Sequence, residues 1–384
     1  MKVKLLHTIT GLNIGGAEVM LARFLEKFED ERYASSVLSL LPFGALRTQI
    51  AETMADVYSI GMSRNPWPSD LYQLARLVGR VEPDIIHGWM YHGNLAATLG
   101  SIVGRAFAPI IWSVHHSVAD LDNELPATRR LIRLCSRISP GTSAIVYCSS
   151  VAAAQHEALG FDPRRTVVIP NGIDCSQFRI DASASAKLKK RLVIPAERII
   201  IGHVSRYHPM KDQTRLVQAI AQLVSGGYDV QGVFVGAGHS QGEVRKAARE
   251  FGIDERITTR ETRRDIVDFI AGFDLCALSS AWGESFSLAT AEAMSCGVPA
   301  VVTDVGDCPF LVGETGIVVP PRDTEALAAG LATLLDLGRD GRRRLGALAR
   351  QRVKEHFSLA RYVQRHLDLY QSIAVTNARL ARRL

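Results

Sequence analysis

The chain has 384 residues, 47% of them hydrophobic and 22% charged, and 45 Lys and Arg against 39 Asp and Glu give a net charge of +6. That length suits two domains with sizeable cores, and the composition excludes a disordered or collagen-like chain. No apolar run reaches the roughly 18 residues that span a bilayer.

The opening residues Met1 to Ile9 turn polar too soon for a signal peptide and read as a first strand. From there short apolar strands alternate with amphipathic helices, the pattern of a parallel α/β sheet. Strands are predicted at 3–9, 36–41, 85–86, 110–114 and 144–148, and a second series at 199–204, 232–235, 257–258, 275–278 and 300–303. The stretch 175–197 is polar, rich in Lys and Ser, and is the predicted linker. The expected architecture is α/β: two Rossmann-like, doubly wound domains, 1–178 and 198–358, facing each other across a cleft at the carboxyl ends of their strands. The last segment, 359–384, reads as a helix packing back on the first domain.

The pI of about 9.0 suits anionic partners such as nucleotides or phospholipid surfaces. No zinc spacing and no aromatic-plus-basic signature points to nucleic acid. Six scattered cysteines without a C-x-x-C pair fit reduced thiols in a cytosolic protein. The stretch 125–138 sets Arg129, Arg130, Arg133 and Arg137 among Leu131, Ile132, Leu134 and Ile138. It is either a basic helix resting on anionic membrane or an ordinary surface helix with an inward apolar stripe.

The most informative motif lies in 281–299. Glu284 follows Gly283 in a loop, and Glu292 sits in a short helix built on Ala289, Ala291, Ala293 and Met294. Gly297 and Pro299 stop that helix before the next strand. A strand–loop–helix turn aims helix N-terminal amides at a crevice, where phosphate is stabilised, and its carboxylates can accept sugar hydroxyls. Such glutamates also occur by chance on solvated helices; the flanking strands and the Gly-Val-Pro break favour a ligand turn.

Other turns share that placement. Gly15 and Gly16 follow the first strand and let backbone approach a ligand. His115, beside His116, ends the strand at 110–114, and His92 and Asn94 sit similarly after 85–89 as acceptor candidates. Each is also compatible with a core or capping role. Arg206 and Lys211 follow the first strand of the second series and suit a pyrophosphate, Arg gripping two oxygens and Lys adding a point charge. Gly236 and Gly238 open a glycine turn whose next glycine, Gly242, comes one residue late for a dinucleotide fingerprint. Asp120 and Asp122 form a D-x-D in a polar loop without other carboxylate partners around a strand, so no metal site is expected.

Taken in order, these pieces resemble the family-4 retaining glycosyltransferases of GT-B fold, over roughly residues 3 to 370 and most strongly over 273–320. The segment Val168-Ile169-Pro170-Asn171-Gly172-Ile173-Asp174, ahead of Phe178, matches the family's interdomain border. The resemblance implies that Arg206 and Lys211 neutralise the donor diphosphate and Glu292 binds the ribose. It implies that Glu284 binds the transferred sugar, with Ser287 and Leu288 offering amides to the phosphate. It places His115 at the sugar, and Gly15 and Gly16 where the diphosphate or acceptor needs room. It implies retention of configuration without metal or cofactor, the substrate being a UDP- or GDP-sugar. The expected acceptor is a glycan or lipid-linked hydroxyl, and the expected location is cytoplasmic, at the inner membrane face. The family's Glu-Gly-Phe-Gly turn is here Glu284-Ser285-Phe286-Ser287, and Asp307-Cys308-Pro309 stands where many members carry Gly and Glu. A sugar-nucleotide epimerase of the same fold and a non-catalytic nucleotide-sugar-binding protein are the alternative readings, and an NAD dehydrogenase is disfavoured by the broken glycine fingerprint.

Overall fold

The run β1 (Val3–Ile9) is buried along its length except at Lys4, which marks a strand covered on both faces. The computed structural model describes residues 2–63, 67–239 and 242–376 and divides the chain into two units, 1–172 with 359–384, and 173–358. In the first unit β1 is followed by α1 (Gly16–Lys27), β2 (Tyr33–Ser39), α2 (Arg47–Ala51), β3 (Asp56–Ser59), α3 (Pro68–Val81), β4 (Ile85–Trp89) and α4 (Met90–Val103). Then come β5 (Ile110–Val114), α5 (Pro126–Ile138), β6 (Ala144–Tyr147), α6 (Ser150–Ala158) and β7 (Thr166–Val168). All strands are parallel, in the order β3-β2-β1-β4-β5-β6-β7, with His7 opposite both Val37 and His87. Right-handed crossovers put α1 and α2 on one face and α3 to α6 on the other. The strand order reverses between β1 and β4, where ligands bind in such sheets.

The second unit runs α7 (Ala184–Leu192), β8 (Ile199–Val204), α8 (Gln213–Ser225), β9 (Val230–Val235), α9 (Glu243–Glu250), β10 (Ile257–Arg260) and α10 (Ile266–Ala271). It continues through β11 (Leu275–Leu278), α11 (Leu288–Ser295), β12 (Ala300–Thr303), α12 (Cys308–Val312), β13 (Gly316–Val319), α13 (Thr324–Asp336) and α14 (Gly338–His356). Its parallel order, β10-β9-β8-β11-β12-β13, reverses between β8 and β11. Ile201, Phe234, Leu275, Val301 and Leu331 belong to one buried cluster around that sheet.

The last helix, α15 (Leu359–Thr376), belongs to the first unit, where its Tyr362, His366 and Tyr370 rings surround Phe24 of α1. Residues 377–384 of the predicted helix lie outside the described residues. The polar 175–197 stretch is not extended linker throughout: it carries α7, whose Leu188 is buried against Gly272 and whose Arg191 pairs with Asp265 at 2.7 Å. Three strands, β3, β7 and β13, are not predicted from the sequence. Each is a sheet edge of three or four residues, too short to display a period. β2 starts at Tyr33 rather than Ser36, and β4 runs on to Trp89.

Candidate active site

In the second unit, two loops leave the strands that flank the reversal point. The loop after β8 carries Arg206 and Lys211, and the loop after β11 carries Glu284. Backbone and side chain stitch them together. Ala281 N–H donates to the Met210 carbonyl and the Ser279 hydroxyl to the Lys211 carbonyl, both at 2.8 Å. Lys211 Nζ donates to Glu284 Oε1, which also accepts from the Ser280 hydroxyl at 2.7 Å. Lys211 and Glu284 are largely enclosed, with side chains 15% and 7% exposed. Burial alone would raise the Glu284 pKa; the Lys211 ammonium, the bonds from Lys211 and Ser280, and His203 outweigh it and hold the carboxyl below its ordinary value. The two residues expected to act separately, one on phosphate and one on sugar, therefore form one buried ion pair.

Arg206 stays exposed, and the loop beneath it is braced. The buried His203 donates from Nδ1 to the Ala277 carbonyl (2.9 Å), so Nε2 accepts from the Ser205 hydroxyl (2.8 Å). Gln213 Nε2 donates to Ser205 Oγ and to the Arg206 carbonyl, both at 2.9 Å. The Gly236–Gly238 turn latches onto the same loop. Gly236, at φ +148°, has no room for a side chain, since a Cβ there would lie 1.9 Å from the Ser205 carbonyl oxygen. Tyr207 N–H donates to the Ala237 carbonyl (2.7 Å), and Gly238 N–H to Glu261 Oε2 (3.2 Å).

α11 supplies the rest. Ser287 is its N-cap, its hydroxyl accepting from Thr290 N–H, so Leu288 is its first residue and the positive end of the helix dipole lies there. Glu292 is buried, with 8% of its surface exposed, in the second turn of the helix. At the other end, Arg350 NH1 donates to the Ser295 and Phe178 carbonyls, capping the helix, and its NH2 donates to the Cys175 carbonyl, tying down the chain at 175–178. Asp307-Cys308, a departure from the family pattern, also has a structural place: Asp307 N–H donates to the Ser285 carbonyl at 3.0 Å, and nearby Thr303 Oγ1 donates to the Ser280 carbonyl at 2.7 Å.

In the first unit the neighbouring histidines separate. His116 Nε2 meets Glu124 Oε1 at 2.7 Å. His115 lies flat on Trp89, ring centroids 5.4 Å apart and planes 9° off parallel, and donates from Nδ1 to Asn171 Oδ1 at 3.0 Å. Because Oδ1 can only accept, the proton sits on Nδ1 and Nε2 carries the lone pair. Burial, with His366 nearby, lowers the His115 pKa to about 4, so the ring is neutral at pH 7. Asn171, read from sequence only as a border mark, thus fixes the tautomer. Of the acceptor candidates, His92 is exposed on α4. Asn94 is fully buried, and its amide nitrogen reaches backbone carbonyls in either orientation, that of Ser113 at 3.3 Å or, with the amide turned over, those of Gly88 and Met90 at 2.8 and 3.3 Å; it pins the β4–α4 turn and is not placed to meet an acceptor. Gly16 has open space around it, but a Cβ on Gly15 would meet the Glu18 carboxylate at 2.4 Å. Burial raises the pKa of that carboxyl. An acid over the α1 N-terminus suits a hydroxyl better than a phosphate, a feature the glycines concealed. Asp120 caps its own turn by accepting from Asp122 N–H (2.9 Å), and Asp122 pairs with Arg129 (2.6 Å).

A family model described as Glycosyltransferase Family 4 matches residues 14–177, and one described as Glycosyl transferases group 1 matches 198–337. The chain belongs to glycosyltransferase family 4. The transferase is 30% identical to a D-inositol 3-phosphate glycosyltransferase of Rhodococcus erythropolis over 67% of this chain and 60% of that protein. It is 27% identical to a GDP-mannose-dependent monoacylated alpha-(1-6)-phosphatidylinositol monomannoside mannosyltransferase of Corynebacterium glutamicum over 80% and 81%. Its fold is GT-B: HepE of Anabaena, crystallised with UDP and glucose, superposes with a TM-score of 0.84 at 22% identity, covering 96% of this chain and all of that one.

Proposed function

We propose that this transferase moves a hexose-type sugar from a UDP- or GDP-sugar to a hydroxyl of a glycan or lipid-linked acceptor, with retention and without metal. The observation that carries this reading is the convergence of Arg206, the Lys211–Glu284 pair and the α11 N-terminus on the carboxyl ends of β8 and β11. The diphosphate lies against Arg206 and Lys211, with Leu288 at the helix dipole; Glu292 takes the ribose hydroxyls and Glu284 those of the sugar. The bond from the anomeric carbon to the phosphate oxygen breaks while the acceptor oxygen attacks on the same face. The acceptor proton passes to the leaving phosphate oxygen, and Arg206 and Lys211 stabilise the charge that grows there. His115 Nε2 accepts from a hydroxyl of the transferred sugar. Both bases stay open, because the relatives named above include a protein crystallised with UDP and one named for GDP-mannose.

Thermal shift against a panel of nucleotides and nucleotide-sugars tests the donor half. One base class should raise the melting temperature equally with and without EDTA. Glu292→Ala should weaken that binding roughly tenfold or more, the worth of a hydrogen bond to a charged group. No response to any nucleotide would overturn the reading in favour of a scaffold. Products formed from the donor without acceptor would point to an epimerase.

The acceptor half rests on α3, α4 and α5, adjacent on one face of the first sheet. Arg76, Arg80, Arg105, Arg130, Arg133 and Arg137 are exposed there without an ion-pair partner among the described residues. Tyr72, Leu99, Ile102 and Leu134 are exposed beside them. Unpaired arginines interleaved with large apolar side chains suit an anionic membrane surface, and they support a reading in which the protein works at the cytoplasmic membrane face. No helix among the described residues is long and apolar enough to cross a membrane. Arg130→Glu with Arg133→Glu should abolish co-sedimentation with phosphatidylglycerol vesicles while leaving the melting temperature unchanged; equal sedimentation of variant and wild type counts against the membrane contact.

A further inference from the structure

The first unit buries a set of rings that the reaction does not use directly. Trp89, fully buried at the end of β4, is held by Nε1–H donating to His7 Nδ1 at 3.2 Å. His115 lies parallel to it, and His366 of α15 is also parallel to it, 8° off plane with centroids 6.5 Å apart. His87 stacks on Trp89 at 4.9 Å and on His366 at 5.9 Å. His366 is fully buried. Its Nδ1 donates to the Tyr362 carbonyl at 2.9 Å, and its Nε2 has no hydrogen-bond partner among the described residues. A leucine would fill that space without burying an unpaired polar atom.

The same helix reaches the other support of His115. Tyr362 and Leu359 pack so closely on Gly172 that a Cβ there would lie 2.6 Å from the Tyr362 Cβ, and Gly172 follows Asn171, the residue that accepts from His115 Nδ1. Both the plane of the His115 ring and the partner that fixes its tautomer thus lean on α15.

We propose that Trp89 and His366 are positioning residues for His115, so that the last helix of the chain sets the direction in which His115 Nε2 points. Parallel aromatic stacking restricts the ring to one plane, and the Asn171 bond then selects one of its two flips. His366 acts through Trp89 and touches no substrate. The inference rests on the proposed contact between His115 and the transferred sugar for its consequence, but not for its geometry.

The test compares His366→Phe, which keeps a flat ring, with His366→Leu, which keeps apolar packing and loses the plane. The primary readout is the pair of imidazole 15N shifts of His115 at pH 7, assigned with His115→Gln. Wild type and His366→Phe should show one neutral tautomer with the proton on Nδ1. His366→Leu should move both shifts toward the tautomer average. Its kcat should fall about tenfold with donor KM within about twofold, the signature of lost orientation rather than lost binding. Wild-type shifts in the Leu variant, or equal disturbance in both variants, would overturn the proposal. The spectra report on His115 whether or not any sugar is transferred. A chain that keeps the tautomer pattern but never turns over would refute the transfer reading and leave the positioning intact.

Discussion

Lys211→Met leaves Glu284 buried without its cation and is expected to destabilise the second unit strongly. Breaking a buried ion pair by removing one partner costs roughly 3–5 kcal/mol. For a unit of this size the melting temperature falls by about 10 °C. Transfer drops by roughly 10²- to 10³-fold, because the positive charge meant for the leaving diphosphate is gone. The pH dependence also changes sign. In the wild type the Glu284 pKa lies below its unfolded value, so the carboxylate contributes stability above the ordinary carboxyl range and loses it as pH falls through the folded pKa. Without Lys211 the desolvation that now opposes ionisation prevails and the pKa rises above the unfolded value. The variant is then most destabilised at neutral pH and recovers as pH falls toward about 4.3. Calorimetry at pH 7 and pH 5 separates the cases: a variant that follows the wild-type pH trend shows that Lys211 does not hold the Glu284 charge.

How much of this was written in the sequence depends on the distance over which each feature is set. The central strands were legible because runs of buried apolar residues stand out between polar turns, whereas the edge strands β3, β7 and β13 are three or four residues long and only half-buried. The site residues were legible one at a time, as residue types at strand ends. Their pairings were not. Nothing near Lys211 indicates that its ammonium meets a carboxylate 73 residues on. Nothing near His115 indicates that an asparagine 56 residues away holds its proton. Asn94 shows the opposite failure: a polar residue at a strand end whose amide goes to backbone carbonyls. A signal for the brace under Glu284 did exist. Asp304-Val305-Gly306-Asp307 is a turn-forming sequence directly after a strand, and a glycine there asks what needs the space.

Gly306→Ala answers that question with a second large effect. Gly306 has φ +60°, a left-handed conformation that costs a non-glycine residue roughly 1 kcal/mol or more. Steric overlap costs more. A Cβ on Gly306 would lie 2.0 Å from the Glu284 carbonyl oxygen and 3.1 Å from that of Ser285, both backbone atoms that cannot swing aside as a side chain does. Relief requires the 284–285 backbone to withdraw, which breaks the bond from Asp307 N–H to the Ser285 carbonyl and carries the Glu284 carboxylate away from Lys211 and Ser280. Together these lose roughly 2–4 kcal/mol of stability, in the range of overpacked sites with backbone strain. Donor affinity should fall as well, because Glu284 and the α11 N-terminus move as one loop. Gly242→Ala is the matched control: Gly242 also has positive φ, at +81°, but among the described residues no atom beyond its chain neighbours lies within 4 Å of its Cβ position. It therefore suffers only the backbone strain and keeps donor binding. Equal losses in the two variants would show that backbone conformation alone, and not the close approach to Glu284, makes Gly306 a glycine.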